Sequence, residues 1–259
     1  MKVYYDFLKV YIGPFYAFIA SLCSIGSLLL FFLKSELACI IALCVFCLGL
    51  FIILFGILRG IHKMIEQNST EPYKRLSSFL MFQSNDGVTS TFEVFRMIQC
   101  KRLFLAAIPY NFKWTGSKIP ELKSRIHSIE LPRHNPDPNK WDEATIKFEK
   151  PLKYNECTMV NVQTENDDSD GKAKPWISCK LATPIDMLTF RVMLAYLPTD
   201  YNIPATFERK KIDAEVDGEF EAIKSISFDQ AHKLYYHCVA NPEPGYIYRL
   251  RWEKYEVIK

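Results

Sequence analysis

The fold prediction starts from two uncharged stretches: VYIGPFYAFIASLCSIGSLLLFFL, which is Val10–Leu33, and LACIIALCVFCLGLFIILFGIL, which is Leu37–Leu58. A bilayer core about 30 Å thick is crossed by roughly 20 apolar helical residues, and each stretch exceeds that length. The charged residues Lys34 and Glu36 lie in the short break, which allows only a tight turn. We therefore predict a hairpin of two transmembrane helices.

Basic residues give the hairpin an orientation. Lys2, Lys9, Arg59 and Lys63 flank its open end, whereas Lys34 alone lies at the turn. Basic loops stay on the cytoplasmic side of a membrane. The prediction is a multi-pass protein with both termini in the cytoplasm.

Small residues recur at helical spacing in both predicted helices and let helix backbones approach in lipid. These residues either pack the two helices of one hairpin together or join the hairpins of several chains. We predict a homo-oligomer whose helices contact membrane lipid. The candidate packing residues are Ala17, Ser21, Ser24, Ala42, Gly49, Gly56 and Gly60.

The rest of the chain has the length of one ordinary domain. We assign residues 1–67 to the hairpin, 68–90 to a connector and 91–259 to a cytoplasmic β-domain. Lys and Arg nearly balance Asp and Glu after residue 66, which argues against a protein that coats a nucleic-acid polymer. This charge balance is compatible with a small ligand that carries few charges.

Short stretches with a period of two predict strands. Tyr246–Trp252 shows the clearest alternation, and Thr91–Ile108 is ambiguous between a strand and a short helix. Turns rich in Pro, Asn, Asp and Gly separate the stretches, which is typical of an antiparallel sandwich or barrel. The predicted fold class is thus a transmembrane α-hairpin plus an all-β antiparallel sandwich or barrel. Further predicted strands are 144–148, 157–163, 176–181, 188–196, 205–210, 220–226 and 234–240.

Motifs for catalysis or metal binding are weak. Cys44 and Cys47 form a CxxC by spacing but lie within a predicted membrane helix, where they act as small apolar groups. Asn166–Gly171 resembles the start of an EF-hand loop, yet Ile177 stands where a bidentate Glu is required. No nucleophile has a candidate base. We predict no enzyme activity, no cofactor and no metal site.

Basic and aromatic side chains on the candidate strands are a more useful signal. They form either an ordinary solvated sheet face or a pocket for a phosphorylated small molecule, because Arg binds phosphate and aromatic rings stack on bases. The candidate ligand-binding residues are Trp114, Arg133, Trp176, Arg191, Arg249 and Arg251.

Two N-terminal transmembrane helices followed by one cytoplasmic β-domain resemble the membrane effectors of bacterial anti-phage nucleotide signalling. These include the two-helix β-barrel effectors of cyclic-oligonucleotide (CBASS) systems and the two-helix β effector of the Panoptes system. The resemblance is one of layout and carries over no site residue. It implies that the β-domain binds a cyclic di- or trinucleotide and that the helices disrupt the bacterial inner membrane. The nucleotide activates the first type and restrains the second. The alternative is a membrane-anchored protein-interaction module without a nucleotide ligand.

Overall fold

The computed structural model describes Ser21 and residues 36–68, 71–112, 118, 120–133, 142–212 and 219–255. The chain divides into two compact units, Met1–Met64 and Ile65–Lys259. Helix α1 spans Glu36–Asn68 and therefore begins in the first unit and ends in the second.

Helix α1 corrects the predicted membrane topology. Its segment Ile40–Ile65 is long and apolar enough to cross a membrane, and no second such helix is found in the part of the chain that the structure describes. The two-helix hairpin and the multi-pass, inner-membrane arrangement with both termini in the cytoplasm are therefore wrong. Apolar length is required of a span but does not fix what a stretch does. Apart from Ser21, the stretch Val10–Leu33 lies outside the described residues.

The candidate helix-packing residues fall in two groups. Ala17 and Ser24 lie outside the described residues, and Ser21 is exposed. Ala42 and three glycines lie on α1. Beyond the backbone of α1 itself, a Cβ placed on any of the three would meet no atom within 4 Å, so none of them makes a close contact with another described element. Packing between chains stays a prediction for Gly49, Gly56 and Gly60.

The second unit is built of β sheets. Its described part contains thirteen strands: β1 (Tyr73–Ser84), β2 (Thr89–Cys100), β3 (Phe104–Phe112), β4 (Glu121–Lys123), β5 (Ser128–Arg133), β6 (Asp142–Lys153), β7 (Cys157–Asp167), β8 (Trp176–Leu181), β9 (Met187–Leu194), β10 (Ala205–Lys211), β11 (Glu221–Ile226), β12 (Leu234–Ala240) and β13 (Tyr246–Arg251). The ambiguous stretch Thr91–Ile108 is thus strand on both sides of a turn, and β1 lies inside the predicted connector 68–90.

The strands form three sheets. The long sheet has the order β12-β9-β1-β2-β7-β4, the four-stranded sheet β11-β10-β13-β8, and the three-stranded sheet β3-β6-β5. Strands β1 and β9 pair in parallel, whereas the other described strand pairs are antiparallel. The predicted antiparallel arrangement is therefore interrupted by one parallel pair, between the second and third strands of the long sheet.

The long sheet supplies side chains to two separate apolar cores. Leu80 and Val94 belong to a larger core shared with the four-stranded sheet. Ile98 and Val160 belong to a smaller core shared with the three-stranded sheet. The long strands β1 and β2 pass from one core to the other, so the boundary between the two smaller sheets lies over their middle.

A histidine at the edge of the larger core predicts a dependence of stability on pH. The ring of His237 lies 4.4 Å from that of Phe207, and burial lowers the pKa of His237 below 6.5, with Lys224 lowering it further. As the pH falls through 6.5, the unfolded chain takes up a proton that the folded chain resists, so stability decreases until the lowered pKa is passed. We expect the urea midpoint to fall between pH 7.5 and 5.5, and to fall less in His237→Gln. An equal fall in both proteins would contradict this assignment.

Candidate functional site

A cavity of about 530 Å³ lies in the second unit, between the long sheet and the edges of the two smaller sheets. Its wall includes consecutive residues of β3 (109–112) and of β8 (176–180). Both strands are the end strands of their sheets, so neither has a neighbour on one side. Small-molecule sites commonly enclose about 300–1,000 Å³, and this cavity is within that range.

The face of the long sheet that lines the cavity, called its floor, changes in polarity along the strands. On β2, the inward side chains in order are Arg96, Val94, Phe92 and Ser90. Residues on one face of a strand repeat about every 6.6 Å, so Arg96 and Ser90 are roughly 20 Å apart along the strand. The floor therefore runs from a basic end through an apolar middle to a polar end.

Arg75 and Arg96 form the basic end. One terminal nitrogen of Arg75 donates to the carbonyl oxygen of Lys180 at 3.0 Å, and the Arg96 guanidinium lies 4.8 Å from the centre of the Tyr110 ring. Burial lowers the pKa of Arg75, and the charge of Arg96 lowers it further. Within the described residues, neither arginine forms a salt bridge with a carboxylate, and the buried Nε of Arg96 has no hydrogen-bond partner. This end of the cavity thus holds two guanidinium groups that form no salt bridge with a described carboxylate.

Aromatic side chains surround the middle. Phe82 and Phe92 lie on adjacent strands of the floor, and Trp252 packs on Phe82 with 5.1 Å between ring centres. Trp176 borders the cavity through the edge of β8, but its ring lies on the other face of that sheet, where the Arg249 guanidinium is 5.6 Å from the ring centre. The rings of Phe82, Phe92 and Trp252 offer stacking surfaces for a flat ligand.

Asn166 marks the polar end. It is 4% exposed, and its Nδ2 donates to Ser90 Oγ at 3.5 Å. Its buried Oδ1 has no hydrogen-bond partner among the described residues. Buried polar atoms are rarely left without a partner in folded proteins. The Asn166 oxygen is therefore a suitable acceptor for a donor group on a ligand.

The residues predicted from the sequence are not all brought together. Trp176 lines the cavity. Arg191 lies on the outward face of the long sheet, since its neighbours Phe190 and Val192 are buried in the larger core. Trp114 lies outside the described residues. Arg133 ends β5, where it pairs with Glu143, and its side chain is not described.

Arg249 and Arg251 are engaged elsewhere. Both contact the carboxylate of Glu208, which is 3% exposed, at 2.5 Å from Arg249 Nε and 3.4 Å from Arg251 Nε. The Arg249 guanidinium also lies 3.5 Å from the centre of the Phe220 ring. Because Tyr248 and Leu250 point into the core, the two arginines lie on the other face of β13. They stabilise the four-stranded sheet and do not line the cavity.

Removing the charge of Glu208 is expected to destabilise the four-stranded sheet. Glu208→Gln leaves Arg249 without its buried carboxylate, and hydrogen bonds to charged groups contribute about 1.5–3 kcal/mol. Urea unfolding should show a loss of that size. The matched control is Glu221→Gln, which breaks an exposed pair with Arg209 and should cost less than about 1 kcal/mol. Equal losses in the two variants would contradict the assignment.

The sequence did not identify Arg75, Arg96 and Tyr110 as candidate ligand-binding residues. A usable signal was the position of Arg96 two residues after Val94 and four after Phe92, which places all three on one strand face. The ambiguity of Thr91–Ile108 hid that signal. A register shift between Arg75 and Ser77 hid the second arginine, because it moves Arg75 onto the cavity side.

Two carboxylates of the EF-hand-like loop accept hydrogen bonds from lysine side chains. Lys118 donates to Asp167 and holds the pKa of that carboxyl near 2, well below its usual range. Lys254 donates to Asp168 at 2.8 Å. In the part of the chain covered by the structure, no three His, Cys, Asp or Glu side chains are grouped so that they could hold a metal ion.

Comparisons with known proteins give no family. No protein-family model and no curated protein matches the sequence. Similar solved structures are an M1 zinc metallopeptidase from Deinococcus radiodurans (7% identity, TM-score 0.36), a putative protease from Parabacteroides distasonis (8%, 0.41) and yeast LTA4 hydrolase (10%, 0.39). The matches cover 70%, 70% and 71% of this chain, which spans only 42%, 40% and 30% of those chains. At such TM-scores the similarity assigns no activity, substrate or mechanism to this chain.

These neighbours correct one prediction. They are a metallopeptidase, a putative protease and a hydrolase, so the prediction that this chain is not an enzyme is withdrawn. The absence of local motifs was its basis, and catalytic groups are often assembled from distant residues. No activity is assigned to the chain in its place.

Proposed function

We propose that the second unit binds a small anionic molecule with aromatic rings, of the cyclic-oligonucleotide class, in the cavity between its sheets. The observation that carries the proposal is the pair Arg75 and Arg96, two guanidinium groups in one aromatic-lined cavity. Neither is paired with a carboxylate among the described side chains. Guanidinium groups bind phosphate through paired hydrogen bonds, and aromatic side chains stack on nucleobases.

The charges around the cavity support an anionic ligand. Basic residues outnumber acidic ones in its lining, and the acidic Asp168 already accepts a hydrogen bond from Lys254. A cyclic oligonucleotide carries a negative charge at each phosphodiester and a base on each sugar. Its phosphates suit the basic end of the floor, and its bases suit the rings in the middle. The charged lining residues are Arg75, Arg96, Lys174, Lys180 and Lys254, with Glu71 and Asp168.

We also infer that helix α1 attaches this binding unit to a membrane. Most apolar side chains along Ile40–Ile65 are exposed, and soluble monomers rarely expose apolar surface of that extent. Alkaline carbonate extraction should leave the full chain in the membrane fraction, and release into the supernatant would contradict the attachment. The role of an anti-phage effector stays a prediction, because no feature of the β unit bears on it.

Calorimetry tests the ligand class. The full chain in detergent micelles is titrated with cyclic dinucleotides and cyclic trinucleotides, and with the corresponding neutral nucleosides as controls. We expect saturable binding of at least one cyclic oligonucleotide and none of its nucleosides, because nucleosides offer no phosphate to Arg75 and Arg96. The proposal fails if no cyclic oligonucleotide binds, or if the nucleosides bind equally well.

A further inference from the structure

Strand β8 has an open edge inside the cavity. Trp252 N–H donates to the carbonyl of Pro175, and Gly245 N–H donates to that of Leu181. Because backbone groups alternate along a strand, residues 175, 177, 179 and 181 face β13, and the backbone groups of Trp176, Ser178 and Lys180 face away. The contact from Arg75 to the Lys180 carbonyl fits this alternation.

Four backbone groups on this edge have no partner among the described residues. Lys180 C=O accepts from Arg75, and Trp176 N–H donates to Lys174. What remains is the N–H and C=O of Ser178, the C=O of Trp176 and the N–H of Lys180. They have the spacing of one further antiparallel strand, and exposed edges of this kind pair with extended peptides.

The edge of strand β3, on the other side of the cavity, is less able to pair with a further strand. Strand β3 contains Pro109, which has no N–H to donate, and proline commonly protects an end strand from pairing. Strand β8 contains no proline between Trp176 and Leu181. The two edges of the cavity are therefore unequal, and β8 is the one able to accept a strand.

We propose that an extended peptide with a carboxylate side chain adds to β8 as a fifth, antiparallel strand of the four-stranded sheet. Charge complementarity selects the peptide. A residue placed opposite Cys179 points to the floor beside Arg75, which lies 3.9 Å from Cys179 Sγ. A residue opposite Ile177 points to the aromatic middle near Phe82. Running antiparallel, the peptide therefore has an acidic residue, then any residue, then an aromatic or large apolar residue.

This inference goes beyond the proposed function and stands without it. If both hold, they share Arg75, and a nucleotide and a strand exclude each other from the cavity. Nucleotide binding would then release a bound protein segment. That coupling gives a ligand-binding unit a means to act on a partner, because the ligand has a higher affinity for the state without the strand.

The test uses defined pentapeptides and the full chain in detergent. Acetyl-Ser-Glu-Ser-Phe-Ser-amide is compared with its order-reversed form, acetyl-Ser-Phe-Ser-Glu-Ser-amide, by calorimetry. We expect the reversed order to bind at least about tenfold more weakly, since its carboxylate no longer meets the Arg75 guanidinium and hydrogen bonds between charged groups are the stronger ones. Methylating the backbone nitrogen of the central Ser, which would donate to the Ser178 carbonyl, should weaken binding similarly. Methylating that of Glu, which faces away from β8, should not.

Three results would overturn the strand proposal: no binding of the first peptide, equal binding of the reversed peptide, or tolerance of the methyl group on the central Ser. Failure of cyclic oligonucleotides to bind, with the peptide pattern as expected, would remove the proposed function and leave the strand. Nucleotide binding without any peptide binding would support the proposed function and remove the strand proposal. Displacement of the peptide by a cyclic dinucleotide would support the shared site.

Discussion

Arg96→Gln is expected to weaken the binding of a cyclic dinucleotide by about 10- to 100-fold, because a hydrogen bond to a charged group contributes about 1.5–3 kcal/mol and each tenfold change in affinity corresponds to about 1.4 kcal/mol. Arg96 Nε is buried with no hydrogen-bond partner among the described residues, and its guanidinium lies over the Tyr110 ring, so the group is already positioned before a ligand arrives. Glutamine keeps a polar end but loses the charge. Calorimetry on the full chain in detergent measures the change.

The matched control is Arg191→Gln. Arg191 lies on the opposite, outward face of the same long sheet, so its loss removes an equal charge without touching the cavity. We expect its affinity to stay within twofold of the unaltered chain. An unchanged affinity in Arg96→Gln, or an equal loss in Arg191→Gln, would show that the ligand does not bind where the two arginines meet.

Phe190→Ala is expected to cost about 3–5 kcal/mol of unfolding free energy, which is the usual loss for a buried phenylalanine. Phe190 is fully buried at the centre of β9, and its ring lies 5.7 Å from that of Phe207 on the four-stranded sheet. The substitution leaves a void between the long and four-stranded sheets. Urea unfolding of the full chain in detergent, followed by far-ultraviolet circular dichroism, measures the loss.

Met187→Ala on the same strand is its control. Met187 is on the outward face, about half exposed, and its replacement should change stability by less than about 1 kcal/mol. A small loss in Phe190→Ala, or equal losses in the two variants, would contradict the packing of these two sheets around β9.

Strand alternation could be read from the sequence where one face of a strand is buried and the other is not. Met187–Leu194 and Tyr246–Arg251 are strands in the structure, and both stretches alternate clearly. Strands β1 and β2 are different, because apolar side chains lie on both faces. The rings of Phe79 and Phe95 lie 6.1 Å apart, tilted by 39°, on the outward face, and these apolar residues blur the period of two.

The candidate site was harder to predict than the strands. Arginine pairs phosphate or carboxylate equally well, so residue type alone could not separate Arg96 from Arg249. The deciding fact is the register of β10 against β13, which places Glu208 opposite Arg249 although the two are far apart in sequence. Cavities between sheets depend on such long-range registers, which local patterns do not contain.

The predicted membrane hairpin failed for a related reason. Uncharged length identified Leu37–Leu58, and the structure has a continuous helix there. The same criterion applied to Val10–Leu33 could not establish a second span, because apolar length is shared by spans, signal segments and buried helices.

The most direct measurement is a structure of the full chain in complex with a cyclic dinucleotide. We predict that phosphate oxygens lie within hydrogen-bond distance of the Arg75 and Arg96 guanidinium groups, with a base against Trp252 or Phe92. A nucleotide bound on the outward face of the long sheet, or an empty cavity at saturating ligand, would contradict the proposed binding site.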